Sequence, residues 1–142
     1  MSYYLIYIFF IFIRICKIWL VMYNKKESIE DYLEKILMLR EAQGDVRAID
    51  IAKMMNFSKA SVSVALKKLK SYNYVLVDDS NGHITLTAEG ERIAKDTYER
   101  HQVISKALMS LGVSEKTALE DACAVEHIIS DETFEVLKKR IK

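Results

Sequence analysis

Apolar positions along the chain fall into three regimes. Residues 3–13 (YYLIYIFFIFI) are apolar without a break, and after Arg14 and Lys17 the run Ile18-Trp19-Leu20-Val21-Met22 closes a leader that contains no acid. From Ser28 the spacing turns helical. Ser28 can cap a helix whose apolar positions Ile29, Leu33, Ile36 and Leu37 share one face, and Gly44 ends it. A short helix is predicted over Ala48–Met55, with Ala48 where a capping Ser or Thr is common, so that helix should lose about 1 kcal/mol of cap stabilisation. Asn56-Phe57-Ser58 then makes a tight turn, and Ser58 caps a third helix to about Ser71. Its apolar face is Val62, Ala65, Leu66 and Leu69. The period next drops to two, Val75 and Val77 answering Ile84 and Leu86 across the polar tip Asp78-Asp79-Ser80-Asn81-Gly82, which predicts a β-hairpin.

Helical spacing returns for the last third. Thr87 can cap a long helix to about Leu111, with Ile93, Thr97, His101, Ile104, Leu108 and Leu111 along one stripe. Gly112 breaks it. Ser114 can cap a helix to about Ile129, and Ser130 a last one containing Phe134, Leu137 and Ile141. The fold expected is mainly α: a winged helix-turn-helix of three helices and a hairpin wing, then an all-α unit. The divisions expected are a leader over 1–22, a DNA-binding unit over 23–87 and a helical unit for dimerisation and metal binding over 88–142.

Composition agrees with a compact helical chain. Of 142 residues, 51% are hydrophobic, proline is absent and glycine occurs four times. The balance of 21 bases against 20 acids excludes a globally basic, histone-like binder and an acidic disordered tail. Two cysteines, Cys16 and Cys123, make no disulfide framework, and a reducing cytoplasm fits them better. The leader fits neither a membrane helix of about 20 uncharged residues nor a signal peptide with a basic start and a small-residue cleavage site. Our reading is that Met22 is the true start. In the alternative, a single-pass anchor, Arg14, Lys17, Lys25 and Lys26 would hold the rest of the chain in the cytoplasm.

The third helix carries chemistry suited to DNA. Ser58, Ala60, Ser61 and Ser63 are short enough to approach base edges in a major groove, while Lys59, Lys67, Lys68 and Lys70 can neutralise phosphates. A run of lysines by itself is more often a solvated face; the order of turn, helix and hairpin is what favours DNA. His83 is expected to be an exposed wing residue.

The helix from Ser114 carries Cys123, Glu126 and His127 at i, i+3 and i+4, beside Leu119 and Ala122 on a face that should be buried. An unpaired buried glutamate is costly, and the trio therefore needs either internal partners or a metal. Spacing leaves both open. Each member also has a plain structural explanation, as do His101 (a core histidine), Asp31 (a capping residue with Ser28) and Glu34 (a surface acid).

SIEDYLEKILML, VRAIDIAKMMNFSKASVSVALKKLKSYNYV, LTAEGERIA, ERHQVISKAL and EDACAVEHIISDE, in this order, resemble the diphtheria-toxin-repressor and manganese-transport-regulator family over about residues 27–142. The resemblance implies a metal-dependent transcriptional repressor of the compact two-domain kind. It implies Asp31, Glu34, His101, Cys123, Glu126 and His127 as metal ligands, with Fe(II) or Mn(II) as co-repressor. The set mixes the two types, since manganese-selective members carry a carboxylate at the Cys123 position and iron-selective members a methionine at that of Asp31. Ser105 and Leu119 stand where iron-type members have ligands for an ancillary site, which is therefore not expected here.

The expected protein is a cytoplasmic homodimer on a palindromic double-stranded operator, with no small-molecule substrate and a membrane role only if the leader is real. It is not expected to be an enzyme. Rival readings are a winged-helix regulator with Cys123 as a thiol switch, a metalloenzyme built on the same cluster, and a membrane-tethered interaction protein using the leader.

Overall fold

The computed structural model describes residues 29–141; the leader and the proposed cap Ser28 lie outside that range. Helix α1 covers 29–43, and Leu33, Ile36 and Leu37, one turn apart, are fully buried. Gly44, at φ 82°, ends it in a left-handed conformation that a side chain would strain.

Helix α2 (Ala48–Met55) is not capped at Ala48, contrary to expectation. Arg47 is the N-cap, and Asp50 in the first turn accepts from its backbone N–H at 2.9 Å, the half of a capping box that satisfies the cap's own N–H. Helix α3 (Lys59–Ser71) begins as expected, with Ser58 Oγ accepting from the Ser61 N–H at 3.1 Å. Strands β1 (Val75–Val77) and β2 (Ile84–Leu86) pair antiparallel, Val75 opposite Leu86 and Val77 opposite Ile84. Asp78 Oδ1 organises the tip between them by accepting from the Ser80 N–H and hydroxyl. The Ile84 N–H donates to Val46 O at 2.8 Å, which ties the wing to the segment before α2. One apolar core joins α1 (Tyr32, Leu33, Ile36, Leu37), α2 (Ile51, Ala52), α3 (Val62, Leu66, Leu69) and the hairpin (Val75, Ile84).

Helix α4 (Ala88–Ser110) is capped by Thr87, whose Oγ1 accepts from the Gly90 N–H at 3.1 Å. A β-carbon on Gly90 would lie 2.0 Å from the Tyr74 carbonyl oxygen, so only glycine lets α4 start this close to the wing. Leu111 terminates the helix and is 81% exposed, so the predicted stripe runs one residue too far. Helix α5 (Glu115–Val125) packs on α4 through Ala118 and Ala122, and α6 (Asp131–Arg140) follows with Ser130 Oγ accepting from the Thr133 N–H. Helix α5 was expected to reach Ile129 but stops at Val125. Residues 126–129 form a turn, with Ile128 and Ile129 N–H both donating to Val125 O, and Arg100 holds it by donating to Ile129 O at 3.2 Å. Leu119 is 40% exposed, so the buried face of α5 is narrower than predicted. Among the described residues no helix is long and apolar enough to cross a membrane.

Candidate metal centre and nucleic-acid interface

The turn after α5 sends Glu126 and His127 against α1 and α4. Helix α1 offers the adjacent Glu30 and Asp31 and, one turn on, Glu34, and α4 offers His101 from its middle. Two groups of ligand atoms result, each within 4.8 Å: Asp31, Glu126 and His127, and Glu34, His101 and Glu126. Glu126 belongs to both. It is 2% exposed and Glu34 is fully buried, a placement that is costly for carboxylates without compensating charge.

The partners are only partly sufficient. Glu126 Oε2 meets His101 Nδ1 at 2.8 Å, and Glu34 Oε2 accepts from Lys35 Nζ at 2.8 Å. Among the described residues, Oε1 of Glu34 and Oε1 of Glu126 are buried without a hydrogen-bond partner. Nε2 of His127 is 3.3 Å from Glu126 Oε1, but that nitrogen is already directed at Asp31 Oδ1 at 2.9 Å, while Nδ1 meets Glu30 Oε2 at 2.8 Å. A ring flanked by carboxylates on both nitrogens is an imidazolium. Burial disfavours its charge, but the hydrogen bonds to Asp31 and Glu30 outweigh that and hold the His127 pKa up at about 10. His101 is raised by its hydrogen bond to Glu126, against its own burial. Glu126 is raised by burial, opposed by His101. The cluster holds more carboxylate than its own cations neutralise, and its oxygen and imidazole donors suit Mn(II) or Fe(II).

The structure brings together five of the six residues proposed from the sequence. Among the described residues Cys123 joins neither group of ligand atoms, although it is half-buried one turn before Glu126. The expectation of an i, i+3, i+4 helical trio is therefore corrected: Cys123 is in α5, Glu126 caps it and His127 lies in the turn beyond. Burial, reinforced by Glu126, pushes the Cys123 thiol up to about 11. Such a thiol is a poor nucleophile near neutrality, which weighs against a redox switch. Glu30 was not singled out in the sequence, where it reads as a solvated acid at a helix start. Ser105 is buried and its hydroxyl donates to the Gln102 carbonyl, within its own helix.

Helix α3 and its cap present Ser58, Lys59, Ala60, Ser61, Ser63 and Lys67 to solvent. Ser58 and Ser61 also bond one another, Oγ to Oγ at 2.9 Å, which fixes the helix start. Lys68 is half-buried beside a cleft lined by Ile29, Tyr32 and Ala65. Val64, passed over in the sequence, is 68% exposed and lies between Ala60 and Lys67 on the outermost face. His83 is held rather than freely exposed, with Nε2 3.2 Å from an Arg47 guanidinium nitrogen and Nδ1 3.5 Å from Asp45.

Comparison with known proteins matches both halves. Residues 26–82 match the family described as iron dependent repressor, N-terminal DNA binding domain, and residues 87–142 its metal binding and dimerisation domain. The transcriptional regulator MntR of Escherichia coli O157:H7 is 36% identical over 115 residues, 81% of this chain and 74% of that relative. An HTH-type transcriptional regulator of Methanocaldococcus jannaschii is 41% identical over 114 residues, 79% of this chain and 90% of the relative. The structure of the manganese regulator SloR superimposes with a TM-score of 0.70 at 33% identity, over 80% of this chain. The alignment covers 53% of SloR, so this chain spans about half the length of that solved protein.

Proposed function

Because the chain belongs to the diphtheria-toxin-repressor and manganese-transport-regulator family of metal-dependent DNA-binding transcriptional regulators, we propose that it represses transcription from a palindromic operator when Fe(II) or Mn(II) is plentiful. One observation carries this reading: among the described residues Oε1 of Glu34 on α1 and Oε1 of Glu126 after α5 are buried without a hydrogen-bond partner, and the two residues share a group of ligand atoms with His101. Asp31 and Glu34 belong to the DNA-binding unit, whereas His101, Glu126 and His127 belong to the helical unit. Cys123, one turn before Glu126 on α5, is kept as the sixth proposed ligand on the family resemblance. A bound divalent ion supplies positive charge to these carboxylates and a point to which both units can be tied.

The residues do the rest. With their mutual repulsion relieved, Asp31 and Glu34 hold α1 against α4, which fixes where α3 points. Family members dimerise through the C-terminal domain. The apolar side chains of Met109, Leu111 and Leu119, 37%, 81% and 40% exposed, supply a surface for a second copy. In a two-fold dimer the two α3 helices must lie about 34 Å apart to enter successive major grooves. Ala60 and Val64 would meet thymine methyl groups there, Ser61 and Ser63 base edges, and Lys59, Lys67 and Lys68 phosphates.

The test is anaerobic capture of the host's genomic fragments by the protein, at fixed salt, in chelator, in Fe(II) and in Mn(II). Enrichment of a palindromic sequence with metal alone is the expected result and ranks the two ions. Equal enrichment in chelator would refute metal control.

A further inference from the structure

We propose that Lys35 is a built-in counter-cation that raises the ion concentration at which the neighbouring carboxylate cluster loads. The inference rests on the cluster being a divalent-cation site, as proposed above, and concerns a residue that neither the sequence reading nor the ligand set included. Glu34 is fully buried, and among the described residues its one hydrogen-bond partner is the Lys35 ammonium, 2.8 Å from Oε2. The lysine side chain is itself only 21% exposed, and Nζ also lies 3.8 Å from Met38 Sδ, so the ammonium is turned inward along α1 rather than out into solvent. It therefore sits on an oxygen of the carboxylate whose ligand group includes His101 and Glu126.

Two opposite effects follow from one charge. In the metal-free protein the ammonium compensates a carboxylate that would otherwise be buried with both oxygens unpaired, so Lys35 stabilises that state. When a divalent ion is held by Glu34, the same ammonium is a like charge next to it at reduced dielectric, and it must stay at a Coulombic penalty or give up its hydrogen bond and swing outward. Either way loading is opposed. A neutral donor such as glutamine could satisfy Oε2 without the repulsion, whereas arginine would keep the charge.

The experiment compares the full-length wild-type chain with Lys35→Gln, Lys35→Met and Lys35→Arg. Free Mn(II) is followed by its paramagnetic resonance during titration with MnCl2, and thermal unfolding is recorded in chelator. Lys35→Gln and Lys35→Met should bind Mn(II) roughly tenfold more tightly, and Lys35→Met should unfold in chelator at a temperature lower by about 4 °C or more. Lys35→Arg should stay within about threefold of wild type. Folded Gln and Met variants with unchanged or weaker Mn(II) affinity would overturn the proposal while leaving the cation site standing. A wild-type chain that takes up no Mn(II) would overturn the site itself, and this inference with it.

Discussion

At the scale of single residues, the site depends on a side chain that binds no ion in the proposed ligand set. Glu30 accepts from His127 Nδ1 at 2.8 Å, which leaves Nε2 as the nitrogen facing Asp31 and Glu126. Carboxylates behind metal-bound histidines fix the tautomer and the ring orientation, and removing them costs roughly 10- to 100-fold in affinity. Glu30→Ala should therefore weaken Mn(II) binding by about that factor without unfolding the protein, as measured by titration and by circular dichroism; unchanged affinity would mean that His127 is oriented by packing alone. Asp31 and Glu34 could be named beforehand because of the family resemblance. Glu30 could not, because two adjacent acids at the start of a helix ordinarily complement its dipole, and only the turn after α5 brings an imidazole to the first of them.

At the scale of elements, the starts of three helices were legible, whereas the cap of α2 and the end of α5 were not. Ser58, Thr87 and Ser130 cap α3, α4 and α6 with hydroxyls whose sequence signature is strong. The end of α5 carries no glycine or proline, and periodicity therefore extends it to the next cap. Its real stop at Val125 is imposed from outside, by Arg100 on Ile129 O and by the pairing of Glu126 and His127 with α4 and α1. The junction of wing and α4 is equally tertiary. Gly90→Ala would drive a methyl group into the Tyr74 carbonyl at 2.0 Å, and the expected loss, read from urea melts, is about 2–4 kcal/mol.

Helices α1 and α4 are also joined by Arg40, which donates to Glu91 Oε2 at 3.0 Å, and Lys95 bonds the other oxygen. The Arg40 guanidinium first, then the Lys95 ammonium, hold the Glu91 carboxyl down at about 2. Its folded pKa lies below its unfolded one, so this contribution is present above the ordinary value of 4.5 and is lost as pH falls from there towards 2. Glu91→Gln should flatten the acid side of the stability profile within that window and change nothing nearer neutrality except a constant offset. Parallel acid limbs in the two proteins would show that the pair is not linked to folding.

At the scale of the whole molecule, the winged helix-turn-helix was readable because its parts are local: a capped helix, a two-residue period, a polar tip. The core confirms the predicted apolar faces, with Val62, Leu66 and Leu69 of α3 buried and Ala65 at their margin. What the sequence could not contain was the meeting of chain segments nearly a hundred residues apart, seen in the His127–Asp31 contact. That meeting makes a device of two helical units, since anything that stabilises it constrains α3. By thermodynamic reciprocity, DNA must raise ion affinity by the factor by which the ion raises DNA affinity, typically 5- to 150-fold.

The most direct test is the affinity of the full chain for its captured operator fragment, by fluorescence anisotropy at one salt concentration, in chelator and in saturating Mn(II), beside Glu126→Ala. The prediction is a gain in wild-type affinity of roughly 5- to 150-fold with Mn(II), and none in the variant, which remains a folded dimer. Metal-dependent binding that survives in Glu126→Ala, or wild-type binding that ignores Mn(II) and Fe(II) alike, would contradict the account.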